Sequence, residues 1–136
     1  MAPKASVLVV ASRTADSPEL IAALRGLRSR ARFTLLVPAI PRGLAWAADM
    51  KAGQAEAVTR AQSGAERMRL AGIEVDGAIV GDPDPTAAVS DALGAHRFDE
   101  VIVASLSRGL ARRLRLSLAD RLRRTTAVPV RHVAAH

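Results

Sequence analysis

Apolar residues along this chain alternate between two forms, short unbroken runs and longer stretches in which they recur every three to four residues. Residues 6–11 (SVLVVA), 33–37 (FTLLV) and 101–104 (VIVA) are unbroken and rich in β-branched side chains, which predicts strands covered on both faces of a parallel sheet. Two weaker strands are expected at 73–81, interrupted by Asp76 and Gly77, and at 127–133, which carries Pro129. Those interruptions suit sheet edges. Between the strands the period changes to that of a helix. Ser17, Pro18 and Glu19 start the first helix with a cap, a preset φ and a negative charge at its positive end, and Leu20, Ile21, Leu24 and Leu27 form its apolar stripe. A long helix is predicted over 47–70, with Met50, Ala57, Ala61, Ala65 and Met68 on one face and Gly72 as its C-cap. Asp84 and Pro85 cap a third helix that turns Ala88, Val89, Ala92 and Leu93 inward. After the fourth strand, Leu110, Leu114, Leu118 and Leu122 repeat at helical spacing. Ser117 followed by Asp120 has the form of a capping box, so a second helix is expected to begin there. Strand and helix alternating in this way give a three-layer α/β sandwich on a sheet of about five parallel strands.

Composition narrows the class. A chain of 136 residues, 49% apolar, is read as one domain over 1–136, burying about two thirds of its unfolded surface. It has no cysteine, which excludes disulfides and thiolate metal sites. No apolar run reaches the roughly 20 residues of a membrane span, and residues 1–4 lead into a strand without an apolar signal segment, so a soluble cytoplasmic protein is expected. The net charge of +7 suggests nucleic acid until its distribution is considered. Residues 1–103 hold 12 Lys/Arg and 12 Asp/Glu, and the excess comes from eight arginines set against Asp120 in residues 104–136. Arg112, Arg113, Arg115, Arg121, Arg123 and Arg124 fit the solvated face of a leucine-striped helix. Binding of nucleic acid or an acidic partner by that face is the alternative. Phe33, Trp46 and Phe98 are too few aromatics for a base-stacking platform.

Candidate chemistry concentrates after the fourth strand, because ligands of open α/β sheets sit at the carboxyl ends of the strands. Ser105, Ser107, Arg108 and Gly109 offer hydroxyls, a positive charge and main-chain amides near a helix start, an arrangement suited to an anion. The neighbouring strand ends add residues 11–14 and 38–40. Trp46 is placed to cover a ligand or to pack down on the fold. His96, His132 and His136 lack metal spacing, and Asp82 and Asp84 read as turn and cap residues. No nucleophile, triad or paired acid and base is present in the pattern, so no catalytic residue is assigned and the protein is read as a non-enzyme.

The order of elements, the segment VGDPDPTAAV (80–89) and the ending SLADRLRRTTAVPV (117–130) resemble the universal stress protein family. The resemblance implies a five-stranded parallel sheet in the order 3-2-1-4-5 and a homodimer paired through the last strand, here Val128, Val130, His132 and Val133. The family's nucleotide-binding branch holds ATP at the carboxyl edge, and there Ala11, Ser12, Arg13, Val37, Ser105, Ser107, Arg108, Gly109 and Ser117 are the candidate contacts of an anion or nucleotide pocket. The family's ATP-binding branch uses an aspartate after the first strand and a motif of Gly, two residues, Gly, nine residues, then Gly with Ser or Thr. Aligning Ser117 with the final hydroxyl puts Leu116, Leu106 and Val103 at the glycine positions, or Ala104 at the first with a one-residue gap. The aspartate is replaced within Ala11, Ser12 and Arg13. Side chains at those positions obstruct the approach of backbone to phosphate. The resemblance therefore implies a branch with no cofactor, in which ATP is not favoured and the pocket is at most a degenerate nucleotide or anion site.

Overall fold

The computed structural model describes residues 3–12, 14–15, 17–39, 46–106 and 109–135. Strands β1 (Ala5–Val10), β2 (Ala31–Pro38), β3 (Val75–Gly81), β4 (Glu100–Leu106) and β5 (Val130–Ala135) alternate with helices α1 (Pro18–Arg25), α2 (Trp46–Leu70), α3 (Pro85–Ala95) and α4 (Gly109–Thr125). The strands form one parallel sheet in the order β3-β2-β1-β4-β5. This is the expected fold class and strand order, with the two interrupted strands at the edges.

β1 lies at the centre. Val9 is opposite Leu35 of β2 on one side and Ile102 of β4 on the other. Because side chains alternate across a strand, Val7 and Val9 face one layer of helices, and Leu8 and Val10 the other. The first layer packs Leu20 and Leu24 of α1 with Ala57, Ala61, Ala65 and Met68 of α2. The second packs Ala88, Val89 and Ala92 of α3 with Leu118, Ala119 and Leu122 of α4. An unbroken apolar strand is what a two-sided core requires.

Local signals account for the helix ends. Leu20 N donates to Ser17 Oγ at 3.2 Å, and Pro18 occupies the first turn of α1. Gly72 has φ of 83°, with Ile73 N donating to Met68 O and Gly72 N to Arg69 O, both at 3.0 Å. This pattern ends α2 in a Schellman motif, with Ile73 and Met68 both buried beneath it. The interruption at Asp76 and Gly77 is a bulge. Phe33 pairs with Val75 and Thr34 with Gly77, so Asp76 has no cross-strand partner on β2, and its carboxylate accepts from Arg32 Nη1 at 2.7 Å.

Two local expectations are corrected. Helix α4 runs unbroken from Gly109 to Thr125, so no second helix begins at Ser117. Asp120 instead pairs with Arg123 at 3.0 Å, one turn on, and the buried residues Leu118, Ala119 and Leu122 carry the apolar stripe through. Pro129 lies before β5 rather than within it; its carbonyl accepts from Val101 N at 2.9 Å, which needs nothing of the amide that proline lacks.

Candidate functional site

The carboxyl ends of the strands are organised by short main-chain bonds. Ala11 N donates to Leu36 O and Ala39 N to Gly81 O, both at 3.1 Å, so β1, β2 and β3 end level with one another. From Ala11 the chain turns tightly into α1, with Ala15 N donating to Ser12 O at 3.2 Å and Ser17 N to Thr14 O at 3.0 Å. Ala11 and Ala15 are fully buried, and Ser12 is half-buried. Helix α2 presses on this turn through Gly64, where a Cβ would stand 2.6 Å from the Ala15 carbonyl oxygen and 2.9 Å from Leu35 Cδ2. Glycine is required there by the closeness of two backbones.

Thr14 lies in the same turn. It is 3% exposed, and among the described residues its hydroxyl has no hydrogen-bond partner. A buried hydroxyl without a partner is unfavourable by about 1–3 kcal/mol. Thr86 repeats the feature at the start of α3, with a buried and unpartnered Oγ1, although its amide is held by Asp84 Oδ1 at 3.1 Å. Asp84 N in turn donates to Asp82 Oδ1 at 2.9 Å, so both aspartates serve the turn and the cap.

Ala11 and Ser12 stand at the carboxyl edge as expected. Val37 lies near the end of β2 with its side chain 1% exposed inside the core. Ser105 belongs to the last part of β4, and Gly109 opens α4, so these two flank the turn that the sequence singles out. Arg13, Ser107 and Arg108 lie outside the described residues. Ser117 is exposed and eight residues into α4, about 12 Å along the helix axis from Gly109, so the structure does not bring it together with Ser105 and Gly109. Val103, aligned with the first motif glycine, is fully buried in β4. Trp46 opens α2. Thr14 falls within the strand-end segment 11–14 that the sequence assigns to the site, whereas nothing in the periodicity marks Thr86 or Gly64, because each is defined by what lies across the fold from it.

Solved structures place this architecture. A protein of the universal stress protein family from Burkholderia pseudomallei superposes with a TM-score of 0.69 over 96% of both chains, at 16% identity. The fold is that of the universal stress proteins. A universal stress protein in complex with cAMP matches over 99% of this chain and 100% of its own, with a TM-score of 0.61 and 19% identity. A universal stress protein family protein from Arabidopsis thaliana with AMP bound covers 98% and 93%, with a TM-score of 0.58 and 16% identity. No family model matches the sequence, and no curated protein does. The universal stress protein fold is thus carried here by a sequence that shares fewer than one residue in five with these structures.

Among the described residues no group of three His, Asp or Glu side chains converges as a metal site, and no helix is long and apolar enough to cross a membrane. On the C-terminal arginine face, Arg121 and Arg124 are exposed, while Arg123 is tied to Asp120 and to the Val130 carbonyl. Arg131 pairs with Glu100 at 3.1 Å.

Proposed function

We propose that this chain is a universal-stress-like, non-enzymatic regulatory protein of the cytoplasm, a single domain that pairs as a homodimer through β5. At the carboxyl edge it keeps a degenerate nucleotide or anion pocket. The observation that carries this reading is the strand order β3-β2-β1-β4-β5, with a tight β1–α1 turn at the carboxyl edge and an unpartnered buried hydroxyl, Thr14, within it. Universal stress protein structures of this fold hold cAMP and AMP, which supports a monophosphate-sized ligand. The missing acid after β1 and the side chains at the glycine positions argue against a triphosphate. β5 supports the dimer because it is an edge strand that pairs only with β4, and Val128, Val130 and Val133 on or beside it are only half-buried.

Thermal shift and calorimetry test the pocket. A ligand at a hundred times its dissociation constant adds about 2.7 kcal/mol to native stability. The expected result is a shift with AMP, cAMP or inorganic phosphate that exceeds any shift with magnesium ATP. A larger shift with ATP, or turnover of it, overturns the reading. Should none of these ligands shift the melting temperature while RNA binds with a steep salt dependence, the arginine face takes its place.

A further inference from the structure

A groove of about 870 Å³ lies between α1 and the C-terminal end of α2, on the outside of the first helical layer. Its apolar wall is formed by Ile21, Ala22, Leu70 and Ala71. Leu70 is 82% exposed, although Met68, two residues earlier, is fully buried. Among the described residues the rest of the rim has one sign of charge, with Arg25, Arg28 and Arg67 lining the groove and no carboxylate. Arg25 and Arg28 are exposed, and among the described residues neither side chain is ion-paired. Since α1 runs back from the carboxyl edge and β2 starts soon after it, these arginines stand toward the amino ends of the strands, away from Thr14.

An apolar wall with an all-cationic rim is complementary to a ligand that is apolar on one side and acidic on the other. The shape adds to this. The groove is open and runs between two helices, so a third helix laid along it would pack against both at once. At 1.5 Å per residue the eight residues of α1 offer about 12 Å, enough to contact two turns of helix. Among the described residues no aromatic side chain lines the groove to stack on a base.

We propose that this groove docks an acidic amphipathic helix of a partner protein, with apolar side chains at i, i+3 or i+4, and i+7 against Leu70 and Ile21, and carboxylates facing Arg25 and Arg28. The arginines of this surface lie away from the carboxyl-edge pocket, at the other end of α1 from Thr14.

Fluorescence anisotropy on the full chain tests it, using a labelled synthetic peptide of about 14 residues, long enough to hold a helix, with leucines on one face and glutamates elsewhere. A second peptide of the same composition has its leucines scattered. The patterned peptide is expected to bind at least tenfold more tightly than the scattered one. Leu70→Gln, and separately Arg25→Gln with Arg28→Gln, are each expected to weaken it tenfold or more while leaving the melting temperature within a few degrees, since all three side chains are exposed. Equal binding of the two peptides, unchanged binding by the variants, or no binding of the patterned peptide overturns the inference. So does binding to phosphatidylglycerol vesicles that is lost in the same variants when the peptide itself does not compete.

Discussion

Thr14→Val is expected to stabilise the ligand-free protein by about 1 kcal/mol in urea denaturation, because valine keeps the shape of threonine and removes a buried hydroxyl that has no partner. If the hydroxyl belongs to the carboxyl-edge pocket, the same variant loses the thermal shift caused by a nucleotide or phosphate. A gain in stability with the ligand response intact would separate Thr14 from the pocket. Glycine substitutions give a second contrast at this scale. In Gly64→Ala the helix-propensity gain of about 0.5–1 kcal/mol is opposed by a Cβ pressed to 2.6 Å from a main-chain oxygen, which cannot swing aside, and a net loss of about 1–3 kcal/mol is expected. Gly94 in α3 has nothing beyond its own stretch of helix within 4 Å of the same added carbon, so Gly94→Ala should gain about 0.4–1 kcal/mol. Chemical denaturation of the two variants side by side checks the pair, and equal effects would contradict the close packing at Gly64.

At the scale of elements, the caps and the core stripes govern what a substitution does. Ser17→Ala and Asp84→Ala each remove an acceptor from a helix start, and each is expected to lower stability by about 1 kcal/mol, read as a fall in the denaturation midpoint. Leu122→Ala empties a fully buried position under α4, where about 2–5 kcal/mol is expected. Most elements were legible in the sequence because their causes are local. Ser17 with Pro18, Asp84 with Pro85, and Gly72 each act within one turn of where they stand, and the β-branched runs report burial on two faces directly. What was not legible depends on residues distant in the chain. A capping box at Ser117 is a pattern of four residues, but helix α4 continues through it because the next turn of apolar side chains is already packed on β4 and β5. The interruption at Asp76 reads as weakness in the sequence, and only pairing with β2 turns it into a bulge with a charge partner in Arg32. The candidate site divides in the same way. Its position at the carboxyl edge follows from the strand pattern, whereas Thr14 and Gly64 gain their meaning only when α2 lies against the β1–α1 turn.

For the whole molecule, the arrangement of strands separates three surfaces: the carboxyl edge with its proposed anion pocket, the edge strand β5, and the arginine-rimmed groove toward the amino ends. Sedimentation is expected to give twice the chain mass at micromolar concentration, and a monomer there would leave β5 without its proposed partner. The central placement of β1 has a further consequence, which concerns time rather than contact. Its amides are flanked by β2 and β4 and covered by helices on both faces, so no fluctuation short of opening the entire core exposes them to solvent. In native-state hydrogen exchange the amides of Val7 to Val10 should therefore exchange last and report the global unfolding free energy, while those of the edge strand β3 exchange through smaller, local openings.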